Sequence, residues 1–151
     1  MKKNKYRIQI AVLTLLLLSV TAFVGKQTEP WTPEQLMPPA DLATIINSPT
    51  GSKPLIISIG PAGLIKGAVY IGAVNKKENL NTLKQLLSKE SKDKEIVIYC
   101  GCCPFKNCPN IRPAFSLLNS MRFTKHKLLN LPHNLKADWI NHGYPMNDRT
   151  N

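Results

Sequence analysis

Two apolar patterns alternate along this chain. Short unbroken runs at Pro54 to Ile59 (PLIISI), Glu95 to Tyr99 (EIVIY) and Lys127 to Leu131 (KLLNL) predict buried strands, because a strand covered on both faces has no polar side. Ala68 to Ile71 (AVYI) predicts a shorter one. Between the runs, apolar residues recur at helical spacing. Leu80, Leu83, Leu86 and Leu87 share one face of a helix over 77–89 with lysines opposite, and Ala114, Phe115, Leu117 and Leu118 share one over 112–121. Thr32-Pro33-Glu34-Gln35 has the form of a capping box and starts a short helix that Pro38-Pro39 breaks. Ala40 to Asn47 makes another before the Ser48-Pro49-Thr50-Gly51 turn. A last helix over 134–141 ends at Gly143, with Pro145 just beyond. Apolar strands separated by helices predict an α/β fold, a parallel sheet flanked by helices on both faces.

The N-terminus stands outside this alternation. Lys2, Lys3, Lys5 and Arg7 precede an almost unbroken apolar run from Ile8 to Val24, and Val20-Thr21-Ala22 offers small residues for cleavage. This predicts a secretory signal peptide over 1–22, a linker over 23–30, one domain over 31–147 and a tail over 148–151. The protein is then exported, periplasmic or secreted. The rival is an uncleaved anchor, the only membrane association expected. Gln9, Thr14 and Ser19 interrupt a run already short for a span, which favours cleavage. No cysteine lies near the boundary to carry a lipid.

Composition narrows the classes further. With 151 residues, 43% hydrophobic and 19% charged, the chain has room for one domain with a real core; collagen, coiled coil and polytopic membrane protein are excluded. The net charge of +11 falls to +7 without the signal segment. The remaining lysines are scattered, with no basic stripe or interleaved aromatics, so no nucleic-acid partner is expected.

All four cysteines lie between Cys100 and Cys108, which marks a local site rather than a disulfide scaffold spread along the chain. Cys100 closes the EIVIY strand, and in parallel sheets ligands bind beyond the carboxyl ends of strands. The segment from Gly101 to Arg112 joins that strand to a helix in which Pro113 suits the first turn. Unpaired amides there, with Lys106 and Arg112, are expected to lower the Cys100 pKa and favour its nucleophilic thiolate.

These residues carry a family resemblance. Tyr99-Cys100, the cysteine-bearing loop, Arg112 opening RPAFSLLNSMRF, the strand KLLNL, and Trp139-Ile140-Asn141-His142-Gly143-Tyr144-Pro145 together resemble a rhodanese-like domain. Upstream, PLIISI and Ile65-Lys66-Gly67-Ala68 resemble that family's first core strand and its turn, so the likeness runs from about Trp31 to Pro145. It implies a rhodanese-like fold and a sulfurtransferase in which Cys100 is catalytic. Cys100 would take sulfane sulfur from a donor such as thiosulfate as a persulfide, then pass it to a thiophilic acceptor. Gly101, Cys102, Cys103, Lys106 and Arg112 would bind the substrate, Arg112 as the loop-closing arginine. The implied partners are a small sulfur compound or a protein thiol, and no cofactor. This chain departs from the family in three places. Twelve residue steps separate Cys100 from Arg112, Ser58 and Gly60 stand where the family carries an acidic and a basic residue, and Leu64 stands where it carries a histidine.

The loop thiols admit plainer roles. Cys102, Cys103 and Cys108 are disulfide candidates, Cys108 with Cys102 or Cys103, which predicts two free thiols; the adjacent pair is too strained to bridge. The spacing C-x-C-C-x₄-C is compact enough to collect Cu(I) or zinc but lacks paired C-x₂-C halves, so no residue is assigned to metal. The alternative to the enzyme is therefore a non-catalytic thiol, disulfide or metal-binding protein on the same scaffold. His126, His133 and His142 read as surface or capping residues and Trp139 as core. No Ser-His-Asp set, paired carboxylates or Walker-type phosphate loop is present.

Overall fold

The structure is a computed structural model that describes residues 29–147. The signal segment over 1–22, nearly all of the 23–30 linker and the tail over 148–151 lie outside the described residues. Among the described residues, no helix is long and apolar enough to cross a membrane.

Five parallel strands form one sheet: β1 (Leu36–Met37), β2 (Leu55–Ser58), β3 (Val69–Tyr70), β4 (Ile96–Tyr99) and β5 (His126–Leu129), in the order β1-β5-β4-β2-β3. Four α-helices connect or follow them: α1 (Pro39–Asn47), α2 (Lys77–Leu87), α3 (Ile111–Ser120) and α4 (Leu135–Asp138). The α/β architecture expected from the apolar runs is the one observed.

The alternation of side chains along each strand divides the core in two. Ile57, Ile96, Ile98 and Leu128 point to one face, where Leu83 and Leu87 of α2 and Ala114, Phe115 and Leu118 of α3 cover them. Ile56, Val97, Tyr99 and Leu129 point to the other, under Leu42, Ala43 and Ile46 of α1 and Leu135 of α4. All four β4 residues are buried, so its run carries no polar position. Trp139 is fully buried, as expected of a core residue, and donates its indole N–H to Pro145 O at 3.2 Å.

Three differences from the sequence pattern have physical causes. Leu36–Met37, which periodicity leaves unmarked, pairs with Leu128 and Leu129 as an edge strand; two residues between a capping box and Pro38 are too few to show a period. The Thr32 capping box supports one 3₁₀ turn, Pro33–Gln35, with Thr32 N–H donating to Gln35 Oε1 at 3.0 Å. The last helix stops at Asp138, and a 3₁₀ turn at Ile140–His142 carries the chain to Gly143, whose φ of 69° closes it as a left-handed cap.

Candidate functional site

Chain order within the sheet decides where a site belongs. The connection leaving β2 runs to β3 on one side, while the connection leaving β4 runs to β5 on the other. The carboxyl ends of the neighbouring strands β2 and β4 therefore flank a topological switch point, where diverging loops leave a crevice. Cys100 follows β4 there and Gly60 lies just beyond β2.

These two residues meet closely. A Cβ placed on Gly60 would lie 2.2 Å from Cys100 Sγ, so the sulfur occupies space that any other residue at position 60 would fill. Ile59 N–H donates to Tyr99 O at 2.9 Å and locks the two strand ends side by side. Tyr99 adds a second tie: its hydroxyl accepts from Ile65 N–H at 3.0 Å and donates to Gly63 O at 3.1 Å, pinning the β2–β3 loop over the crevice.

The cysteine loop is anchored on both faces of the sheet. Gly101 has a φ of 79°, and a Cβ there would meet Leu135 Cβ at 2.8 Å and Ala62 Cβ at 3.0 Å, so both conformation and space call for glycine. Its carbonyl accepts from Leu135 N–H at 2.9 Å. On the far side Phe105, in the 3₁₀ turn Phe105–Asn107, is buried against Trp31 with ring centroids 5.9 Å apart. Its N–H donates to Leu131 O at 3.2 Å.

Between these anchors the sulfurs gather. Cys100 Sγ and Cys102 Sγ are 3.3 Å apart, and Cys102 Sγ and Cys103 Sγ 3.4 Å apart. The sulfurs of Cys100, Cys102 and Cys108 all lie within 4.8 Å of one another. Cys100 and Cys108 are buried, Cys103 is half-buried and Cys102 is exposed; all four are free thiols, so Cys108 is bonded to neither Cys102 nor Cys103.

Asn110 completes the cluster, and sequence reasoning missed it. It occupies the cap position of α3, where an asparagine side chain ordinarily accepts from the third helical N–H. That third residue is Pro113, which has no N–H. The Asn110 side chain is turned away from the helix instead. Its Oδ1 accepts from Asn75 N–H at 3.0 Å, and its Nδ2 donates to Cys100 Sγ at 3.3 Å and faces Cys108 Sγ at 3.9 Å. A cap asparagine three residues before a proline is the signal that could have found it. Gly60 was visible as a strand-end glycine, but nothing in the pattern showed that a sulfur fills its missing side chain.

No protein-family model matches this chain, and no curated protein matches its sequence.

The geometry of the site corrects the electrostatic expectation for Cys100. The neighbouring Cys108 sulfur, together with burial, pushes the Cys100 thiol well up, and the Asn110 amide and the groups of Cys102 offset only part of this. Cys108 is held below the usual thiol range because the Cys100 thiol beside it outweighs its burial. Burial also raises Cys102 and Cys103, with Cys100 adding to it at Cys102 and Cys102 adding to it at Cys103.

The expected cations are placed differently from the sulfurs. Arg112 Nη2 donates to Glu29 Oε1 at 2.6 Å, and its guanidinium lies over the Trp31 ring at 5.6 Å. Lys106 is exposed on the Phe105–Asn107 turn. The donor that touches the Cys100 sulfur is instead the Asn110 amide.

The histidines stand apart from the thiols. His133 Nδ1 pairs with Asp138 Oδ1 at 2.8 Å, and His142 stacks on Tyr144. His126, expected at the surface, is buried against Phe115, with Nε2 2.8 Å from Asn119 Oδ1, because it opens a strand that α3 covers. A cleft of about 420 Å³ includes Glu34, Gln35, Pro54, Glu95, Lys125 and Lys127 in its lining. Pro54, Glu95 and Lys125 precede β2, β4 and β5, so it opens at the opposite end of the sheet from the sulfurs.

Proposed function

We propose that the protein is a rhodanese-like sulfurtransferase that moves sulfane sulfur through a persulfide on Cys100. The observation that carries this reading is the place of Cys100, a thiol at the carboxyl end of the central strand, at the switch point of a parallel sheet, held by an amide donor. The sequence likeness from Tyr99-Cys100 to Trp139-x-x-x-Gly143-Tyr144-Pro145 supports it.

The chemistry balances without a cofactor. The Cys100 thiolate attacks the outer sulfur of a donor such as thiosulfate; a Cys–S–S⁻ bond forms, the donor S–S bond breaks, and sulfite leaves with its electron pair. A thiolate of the acceptor, a small thiol or a protein thiol, then attacks the terminal sulfur and Cys100 leaves as thiolate. The Asn110 amide donates to the Cys100 sulfur throughout, in fixed orientation because Asn75 N–H holds its other end. Attack requires the thiol proton to leave first, and the exposed Cys102 side is the way in for donor and solvent.

The test is mass spectrometry of the reduced protein after incubation with thiosulfate. A gain of about 32 Da, one sulfur, is expected on Cys100 and is lost in Cys100→Ser. Absence of the adduct with thiosulfate and with a polysulfide donor refutes the reading.

A further inference from the structure

Sulfur transfer through Cys100 gives no task to Cys108, whose sulfur is fully buried, nor to the convergence of a third sulfur on the pair. A lone buried cysteine acts as a small hydrophobe. Three that turn their sulfurs toward one point form a donor set. We propose that Cys100, Cys102 and Cys108 form a three-thiolate binding site for Cu(I).

The spacing fits such an ion. With metal–sulfur bonds of about 2.3 Å, a trigonal site places its sulfurs about 4.0 Å apart. The three sulfurs here lie within 4.8 Å of one another. The closest approach, 3.3 Å between Cys100 and Cys102, opens by about 0.7 Å to reach the trigonal spacing as Cys102, the exposed member, moves toward solvent.

The donor chemistry selects the ion. The three ligands are all sulfur, and among the described residues neither histidine nor carboxylate joins the group. Thiolates favour soft ions; magnesium and calcium demand oxygen, and structural zinc takes four ligands. The fourth cysteine, Cys103, contacts Cys102 but lies outside the mutually close set. Cu(I), content with three thiolates, matches both number and softness. Asn110 supplies the outer support such sites need, since its amide donates to Cys100 and faces Cys108.

Binding is a simple exchange. Cu(I) forms three Cu–S bonds and up to three thiol protons pass to solvent, with no change of oxidation state. The complex carries two net negative charges, offset by the Asn110 amide and the excess of basic residues in the chain. The site stands independently of the sulfurtransferase reading, although an ion on Cys100 and a persulfide there exclude each other.

The test is anaerobic titration of the reduced full chain with Cu(I), in competition with the chromogenic chelator bicinchoninate. One Cu(I) per chain is expected, with a thiolate-to-copper charge-transfer band in the near ultraviolet. Cys108→Ser and Cys102→Ser each weaken binding at least about tenfold, the smallest loss expected on removing a metal-site group. Cys103→Ser leaves binding unchanged. If circular dichroism shows Cys108→Ser unfolded, Cys102→Ser at the exposed position decides. Failure to hold Cu(I) against the chelator overturns the proposal. So does preferential retention of zinc, or equal loss in Cys103→Ser. Because the readout is metal occupancy, an absent thiosulfate adduct refutes only the enzyme reading.

Discussion

Replacing Gly60 by alanine probes the contact on which the site is built. The new Cβ would lie 2.2 Å from Cys100 Sγ, 3.0 Å from Cys100 O and 3.3 Å from Cys100 Cα. The first distance is about 1.5 Å inside normal non-bonded separation. The strand ends cannot part to make room without breaking the 2.9 Å bond from Ile59 N–H to Tyr99 O. Gly60 is outside the left-handed region, so alanine meets no backbone strain and gains about 0.4–1 kcal/mol from a less flexible unfolded chain. Overpacking costs about 1–3 kcal/mol, which leaves a net loss of up to about 2.6 kcal/mol. Most of that loss depends on the sulfur. In a Cys100→Ala background the clash with Sγ vanishes, and the two substitutions should couple favourably by about 1–2 kcal/mol. Urea unfolding of the four proteins of this cycle measures the coupling. Losses that add to within about 0.5 kcal/mol would refute the placement of the Cys100 sulfur in the space Gly60 leaves.

Three further outcomes follow from contacts described above. Tyr99→Phe leaves Ile65 N–H and Gly63 O without partners and should cost about 1–3 kcal/mol in urea unfolding, while leaving β4 packed; a loss under about 0.5 kcal/mol would mean water replaces the hydroxyl. Burial holds His126 below the ordinary histidine range, so the unfolded chain takes up its proton first on acidification. Stability is then full above about pH 6.5 and falls from there down toward the lower native pKa. A pH series should show that slope, and His126→Gln should remove it. Arg112→Ala breaks a partly exposed ion pair and a stacked contact with Trp31, and should lower stability by no more than about 1 kcal/mol; a larger loss would show that the guanidinium supports the loop itself.

Much of the fold was legible because its signals are local. PLIISI and EIVIY could be read as buried strands from six and five residues of their own, and Leu83 and Leu87 marked the buried face of α2 without any tertiary information. The site was legible only in outline. The position of Cys100 after an apolar strand placed it at a carboxyl end, but its protonation depends on Cys108, eight residues on, folded back against it. Proximity to Lys106 and Arg112 in sequence suggested a lowered pKa. The chain instead commits Arg112 to Glu29 and Trp31, partners more than eighty positions away that no local pattern reveals. Asn110 was hidden for the converse reason: at a helix start it looks like a cap, and only the missing N–H of Pro113 says otherwise.

The anchoring of the cysteine loop also sets when its thiols become safe. Phe105 rests on Trp31, near the start of the described chain, and Gly101 rests on Leu135, near its end. Contacts of such sequence separation form late, since their loop-closure entropy is met only when most of the chain is in place. A chain still emerging or refolding therefore presents four closely spaced thiols to oxidants and to other chains, with neither anchor holding them. Resistance of Cys100 and Cys108 to alkylation becomes a clock for the completion of folding. Oxidising conditions during that interval reach Cys100 and Cys108 before the finished fold buries them.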